Sequence, residues 1–342
     1  MLSEAGQIAR ALEVLLRRAG YEDAGLVGEL VKQLADEEKI ELQKTYGHIE
    51  PRTRFKPHVS HPLLEKRPRN LLYVDENGKS TPEPHAKARP TIFTLGAVAV
   101  PEEALDNYRV LADEIKLEFF GTTDFTFHEP AMRHRRGPYY FDGDERLQTE
   151  FDLAIDQLVR EADFVAFGVA VRKEAFAEEF VKTKVDPYLP TDIYTLAITM
   201  LLERYLDFLA FSGSPKRLGR VTFESIGPRD DAYHQLEYAR VLLEGSQWVY
   251  EGSFRSWLET GLRFTPKIGS DPMELSDMFS RELYEWARGD CNCAPKRWDL
   301  FSEKIHCRDD AHMGKFGVKV FPDSGIRDRI EAHRVRCGAA IP

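Results

Sequence analysis

Apolar residues recur at helical spacing in the first 45 residues of the chain. Two sets share this period: Ile8, Leu12, Leu15 and Leu16, then Leu26, Leu30, Val31 and Leu34. Residues three or four positions apart lie on one face of a helix, and Gly20 separates the two sets, as expected at a helix end. The pattern predicts a pair of helices, residues 1–45, that forms an appendage to the main domain.

The pattern changes after residue 70, where short β-type runs alternate with helical segments. The predicted strands are Leu71–Val74, Thr91–Val100, Phe164–Val171, Arg220–Glu224 and Leu262–Phe264. The predicted helices are Pro101–Phe119, Glu145–Ala162, Thr191–Phe211, Asp231–Gly245 and Met273–Ala287. Strands that alternate with helices after an initial pair of strands are typical of a mixed α/β sheet covered by helices. We therefore expect one α/β domain over residues 71–342.

Residues 46–70 separate these two parts and are rich in proline and positive charge. The basic and histidine side chains are His48, Arg52, Arg54, Lys56, His58, His61, Lys66, Arg67 and Arg69. Such a segment is either a solvated linker or a basic arm that contacts a phosphate backbone. The sequence leaves both interpretations open.

Charge and hydropathy narrow the class of protein. The 342 residues include 57 acidic and 47 basic side chains, a net charge of −10, which argues against a protein that coats DNA through bulk positive charge. A metal-dependent nucleic-acid enzyme remains compatible, since it needs only local basic walls to hold phosphates. We expect a cytoplasmic protein, because the N-terminus lacks the apolar run of a signal peptide and four cysteines are too few for a disulfide framework. We expect no membrane segment, because the longest apolar stretch, residues 193–211, is broken by Glu203, Arg204 and Asp207.

Three acidic residues stand where an α/β sheet usually binds its ligand. Asp75 and Glu224 each end an apolar β-type run, and the carboxyl ends of strands line the crevice where open α/β sheets bind ligands. Asp277 lies within the apolar segment of the last predicted helix. Acidic residues are also common at strand ends for local reasons, and a partly buried Asp can simply pair with an Arg. None of the three is specific by itself.

Six short motifs in one order add specificity. They are Leu72–Gly78, Thr94–Val98, Phe127–Pro138, Phe223–Ser225, Lys267 with Leu275–Met278, and Gly317–Pro322. In this order they resemble the domain of unknown function 3800 family, whose members look like ribonuclease H-like proteins and are interpreted as metal-dependent nucleases of prokaryotes. The match covers Leu71 to Pro322, and its last motif looks like the family's closing strand. Asn77 and Ser276 replace the family's Ser and Ala, but neither change removes a carboxylate.

The resemblance implies a ribonuclease H-like mixed sheet flanked by helices, and a nuclease that hydrolyses phosphodiester bonds in DNA or RNA with Mg²⁺ or Mn²⁺. Two divalent ions can activate water and stabilise charge on the attacking and leaving oxygens, and hard cations prefer carboxylate ligands. In this hypothesis Asp75 bridges the two ions, while Glu224 and Asp277 each hold one of them. Clustered acids repel one another without a metal, so raised carboxylate pKa values are expected.

Residues around the predicted metal site complete the hypothesis. His128 is expected to transfer a proton or to contact the scissile phosphate, although a structural hydrogen bond would explain it equally well. The predicted substrate-binding residues are Glu76, Arg133, Arg136 and Lys267. Arg suits bidentate phosphate contacts, whereas the basic run Arg133–Arg136 can also be a solvated face and Lys267 can form an ordinary salt bridge. Glu129 stands where the family often has Ser, which leaves open whether it is a further ligand or an exposed residue.

A zinc site is a weaker possibility in the C-terminal part of the chain. The candidate ligands are Cys291, Cys293, His306, Cys307 and His312. Zinc takes Cys and His in tetrahedral sites, but the Cys-x-Cys spacing is not that of a zinc finger. Incidental cysteines in a loop are the preferred interpretation.

Two other functions compete with the nuclease hypothesis. One is a catalytically silent module on the same fold that binds nucleic acid or protein. The other is a metal-dependent enzyme that acts on a nucleotide or another small phosphoester. The presence of all three acids favours an enzyme, since a scaffold does not need them together. Salt dependence separates a polynucleotide from a small substrate, because only polynucleotide binding weakens steeply with added salt.

Overall fold

A computed structural model describes residues 68–80, 91–178, 192–211, 217–246, 249–266, 269–288, 296–307 and 317–322. All of them belong to one of the two compact units of the chain, Arg67–Pro342. The predicted helical appendage 1–45 and nearly all of the predicted linker 46–70 lie outside the described residues.

Six strands and nine α-helices are present in this part of the chain. The strands are β1 (Arg69–Asn77), β2 (Ile92–Pro101), β3 (Val165–Arg172), β4 (Leu218–Glu224), β5 (Arg263–Thr265) and β6 (Val318–Phe321). The helices are α1 (Leu105–Phe120), α2 (Glu129–Arg133), α3 (Glu145–Glu161), α4 (Lys173–Phe176), α5 (Ile193–Phe211), α6 (Pro228–Glu244), α7 (Glu251–Trp257), α8 (Met273–Arg288) and α9 (Trp298–Glu303). Every strand and helix predicted in the α/β domain is therefore found, with ends shifted by a few residues. No helix among the described residues has both the length and the apolar character needed to cross a membrane.

The first strand is longer than its apolar run predicts. The predicted end of this strand at Val74 is too early, because β1 starts at Arg69 and continues through Asn77. Pairing with β2 extends the strand: Asp75 lies opposite Gly96, and the ladder runs on for two more residues. The chain turns at Gly78, whose φ of 90° favours glycine. Asp75 and Glu76 are consequently held by a sheet rather than by a loop.

The six strands form one mixed sheet in the order β5-β4-β1-β2-β3-β6. Strand β2 is antiparallel to both of its neighbours, β1 and β3. The pairs β1–β4, β4–β5 and β3–β6 are parallel. The mixed α/β sheet predicted from the sequence is confirmed.

Helices cover both faces of this sheet, because alternate residues of each strand point to opposite sides. On one side, Leu71 and Tyr73 of β1 pack in an apolar cluster with residues of α1, α3, α8 and α9. We call this side the α8 face. On the other side, Leu72 and Val74 pack with residues of α5, α6 and α7, and we call it the α5 face.

Two glycines allow α8 to lie directly on the sheet. Gly96 of β2 pairs with Gly168 of β3. A Cβ atom on Gly96 would lie 2.4 Å from the Cα of Ser280, and one on Gly168 would lie 2.6 Å from a methyl carbon of Leu283. Any side chain at position 96 would therefore push the helix backbone away from the strands.

We expect Gly96→Ala to destabilise the protein by about 1–3 kcal/mol or more, since the added methyl group meets the helix backbone rather than a movable side-chain end. Chemical denaturation measures the change in the free energy of unfolding. Gly252→Ala in α7 is the matched control, because a Cβ atom there meets nothing within 4 Å. An equally small effect of the two substitutions would contradict close packing of α8 at Gly96.

Candidate functional site

Strand register places Asp75 and Glu224 side by side. Strands β1 and β4 are parallel, and Val74 pairs with Phe223, so the next residues, Asp75 and Glu224, are neighbours on adjacent strands. Val74 and Phe223 both belong to the α5-face cluster, whereas Tyr73 belongs to the α8-face cluster. By alternation, Asp75 and Glu224 lie on the α8 face. Asp75 is 6% exposed, and Glu224 is partly buried.

Helix α8 brings Asp277 to the same part of this face. The hydroxyl of Ser276 lies 3.2 Å from the carbonyl oxygen of Tyr73 and 2.9 Å from that of Gly96. Gly96 is the residue opposite Asp75 in the ladder. Asp277 follows Ser276 directly and is only 6% exposed. The three acids predicted from the sequence are thus carried by neighbouring segments of the α8 face.

These acids do not form a closed cage of ligands. Within the described ranges, no three His, Cys, Asp or Glu side chains are arranged to hold a metal ion. Mg²⁺ is commonly bound through only one or two carboxylates, with waters and substrate phosphates completing its shell. The arrangement offers separate oxygen ligands around an edge of the sheet.

A second acidic group lies at the carboxyl ends of β1 and β4. Glu76 alternates to the α5 face, opposite to Asp75. Burial raises the pKa of Glu76 to about 7, and the charges of Asp230 and Glu224 act in the same direction. The main cause of this shift is burial rather than repulsion among the predicted metal ligands. Sequence reasoning missed Asp230, although it stands in the first turn of α6, directly after β4.

The segment that contains His128 runs close to Asp277, because the backbone N–H of Glu129 donates a hydrogen bond to Asp277 Oδ2 at 2.9 Å. The side chain of His128 is exposed, and its imidazole has no hydrogen bond within the described part of the chain. His134, Arg135 and Arg136 are also exposed. These three exposed residues follow Arg133 directly in the chain, and we call them the basic rim.

Arg133 differs from the rest of this basic run. Its Nε donates to Glu129 Oε1, and its Nη2 donates to Glu282 Oε1 at 2.8 Å. Two of its donor groups are thus engaged within the protein, which reduces its capacity for the predicted bidentate phosphate contact. Glu129 itself is 3% exposed, so the interpretation of Glu129 as an exposed residue is wrong.

Other predicted ligands are tested only in part. Lys267, Cys291, Cys293 and His312 lie outside the described residues. His306 Nε2 lies 3.2 Å from Asp207 Oδ2, and Cys307 is partly buried. The preferred interpretation, incidental cysteines rather than a zinc site, stays untested.

A buried ion pair fixes the His128 segment against α8. Lys116 and Glu274 are both 0% exposed, and Lys116 Nζ donates to Glu274 Oε1 at 2.7 Å. The hydroxyl of Tyr108 and the backbone N–H of Phe127 also donate to this carboxylate, each at 2.7 Å. Burial raises the pKa of Glu274 to about 7, against the opposing charge of Lys116. Because Glu274 precedes Asp277 by one helical turn, the pair joins the loop segment to α8 beside the acid.

We expect Lys116→Met to lower the free energy of unfolding by about 3–5 kcal/mol, since it leaves the buried carboxylate without its counter-charge. Adding Glu274→Gln removes that charge, so the double variant should lose less stability than the single variant. Urea denaturation at pH 8, above the pKa of Glu274, measures both. A double variant that loses the sum of both single effects would contradict the coupling.

Comparisons of this chain with protein-family models, with curated proteins and with solved structures find no match.

Proposed function

We propose that this protein is a divalent-metal-dependent nuclease built on a ribonuclease H-like core. The observation that carries the proposal is the placement of three acids on one face of the sheet. Parallel pairing of β1 with β4 sets Asp75 beside Glu224. The hydroxyl of Ser276 ties the segment that bears Asp277 to the carbonyl groups of Tyr73 and Gly96.

The strand order supports the ribonuclease H-like part of the proposal. Five strands in the order β5-β4-β1-β2-β3, with β2 alone antiparallel to its neighbours, put the central strand β1 beneath α8. The central strand then carries one acid, its parallel neighbour β4 carries the second, and the covering helix carries the third.

The donor set fits a hard cation, because its ligand atoms are carboxylate oxygens. In this proposal Asp75, Glu224 and Asp277 would each offer carboxylate oxygens to Mg²⁺ or Mn²⁺, with no more than two of these carboxylates on one ion and with waters and substrate phosphates completing its shell. When bound, such an ion supplies a Lewis acid and lowers the pKa of a coordinated water. Since Asp75 and Asp277 are each 6% exposed, their charges are screened by little water and attract a cation strongly.

Neighbouring residues supply the rest of the chemistry. In this proposal the exposed imidazole of His128 transfers a proton or contacts the scissile phosphate. Glu76, whose pKa is raised to about 7 by burial, lies on the α5 face, opposite to Asp75, so its predicted substrate contact is not part of this proposed site. The exposed guanidinium of Arg136 can contact the polynucleotide backbone.

We expect Asp75→Asn to lower nuclease activity by at least about a hundredfold, because even residues that only support metal ligands contribute 10–100-fold. The assay uses labelled single- and double-stranded DNA and RNA with Mn²⁺. Asp106→Asn is the control, since Asp106 lies on α1 with its side chain 93% exposed.

Equal degradation by the wild type and by Asp75→Asn would dismiss the proposed site. Binding of nucleic acid without any cleavage by the wild type would favour the silent binding module. Cleavage of a small phosphoester in preference to every polynucleotide would favour the third function.

Salt dependence tests whether the basic rim contacts a phosphate backbone. If about three phosphates are neutralised, the slope of log K against log salt is about −2.7, so a fourfold rise in salt should weaken binding about 40-fold. Arg136→Ala should reduce the slope by about 0.9 for every sequence tested. Arg146→Ala, on the exposed surface of α3 with its side chain 86% exposed, should leave it unchanged. An unchanged slope in Arg136→Ala would contradict the backbone contact.

A further inference from the structure

Glu129 has one carboxylate oxygen that its ion pair does not use. The residue is 3% exposed, and Oε1 accepts the hydrogen bond from Arg133 Nε. Oε2 is buried and has no hydrogen-bond partner among the described residues. Leaving a buried charged acceptor without a donor is costly, and nearly all buried polar atoms of proteins have a partner. The unsatisfied oxygen therefore indicates that a ligand binds to it.

Glu129 is attached to Asp277 through its own main chain. The backbone N–H of Glu129 donates to Asp277 Oδ2 at 2.9 Å, which keeps the two residues adjacent. Burial raises the pKa of Glu129; the charge of Arg133 opposes this shift, and the charge of Asp277 adds to it. Two adjacent, buried acids repel each other, and a divalent cation between them would relieve the repulsion.

We propose that Glu129 binds a divalent cation together with Asp277, using Oε2 while Oε1 stays on Arg133. Two carboxylates are enough, because Mg²⁺ and Mn²⁺ complete their shells with waters and phosphate oxygens. The inference rests on the proposed function in one respect: it takes this cation to belong to the same metal site. It adds to that site a ligand from the first residue of α2, in place of the Ser that the resemblance suggests at this position.

Arg133 then has two effects of opposite sign. It orients Glu129, and Glu282, which is 1% exposed, anchors it in turn at 2.8 Å. It also places a positive charge next to a cation ligand, which weakens cation binding by repulsion. Removing the carboxylate of Glu129 should therefore lower the affinity for the cation, whereas removing the charge of Arg133 should raise it.

The test is titration of the full chain with Mn²⁺. Calorimetry measures the heat of binding, and electron paramagnetic resonance measures the free Mn²⁺. We expect Glu129→Gln to raise the Kd at least about tenfold and Arg133→Gln to lower it. Glu150→Gln is the matched control, because Glu150 also pairs with an Arg four residues away but lies on the surface of α3; its Kd should equal that of the wild type. Shifts of the same sign in Glu129→Gln and Arg133→Gln, or no shift in either, would overturn the proposal.

Asp277→Asn separates failure of this inference from failure of the proposed function. If Asp277→Asn abolishes Mn²⁺ binding while Glu129→Gln keeps the wild-type Kd, Glu129 is not a ligand and the metal site still stands. If the wild type binds no Mn²⁺, both proposals fall. If Mn²⁺ binds with the expected signs but no nucleic acid is cleaved, only the nuclease is dismissed. Circular dichroism without metal checks that each variant folds. If Glu129→Gln is unfolded, Arg133→Gln decides: tighter Mn²⁺ binding supports the proposal, and unchanged or weaker binding overturns it.

Discussion

The close contact of α8 with the sheet is the constraint on which the candidate site depends. It exists because Gly96 and Gly168, paired on adjacent strands, leave room for the helix backbone. The hydroxyl of Ser276 then reaches two strand carbonyls, which fixes the rotation of the helix about its axis. With that rotation fixed, Asp277 has one position, beside the strand that carries Asp75. A helix raised by one methyl group would lose the hydroxyl contacts and the placement of the acid together.

Burial of α8 also explains the unusual charges around it. Glu274 and Glu282 are almost completely buried, so each is stabilised by a cation from another element. Lys116 of α1 forms an ion pair with Glu274, and Arg133 of α2 forms one with Glu282. Lys116 and Arg133 therefore stabilise the fold, whatever further part they have in binding. Arg133 also pairs with Glu129. The same contacts therefore hold α2 against α8, and they do not use Oε2 of Glu129.

Much of the fold follows from local sequence pattern, whereas the site follows only in part. Periodicity predicts strands β1 to β5 and the five longest helices, because apolar runs of period two or 3.6 have few alternatives. It does not predict the short helices α2, α4, α7 and α9, and β6 was expected only from the family resemblance. The acids Asp75 and Glu224 are accessible to the same reasoning, since parallel strands align their ends. The burial of Glu129 is not, because its surroundings come from residues about 150 positions away. The extent of β1 was missed for a related reason: its polar end is held by β2 rather than by its own residues.

The acids of this sheet edge lie on both of its faces, and that division has an electrostatic consequence. Asp75, Glu224 and Asp277 are on the α8 face, while Glu76 is on the α5 face; the charges of Asp230 and Glu224 add to the effect of burial on its pKa. A carboxyl whose pKa is about 7 is partly protonated at neutral pH, so the edge carries less negative charge than its number of acids suggests. Neighbouring carboxyls in different environments can therefore have different roles: one group keeps a proton, while others remain able to bind a cation. An edge of this kind repels a polyanion less than a fully ionised cluster would, and the exposed basic rim near Arg136 has less repulsion to overcome.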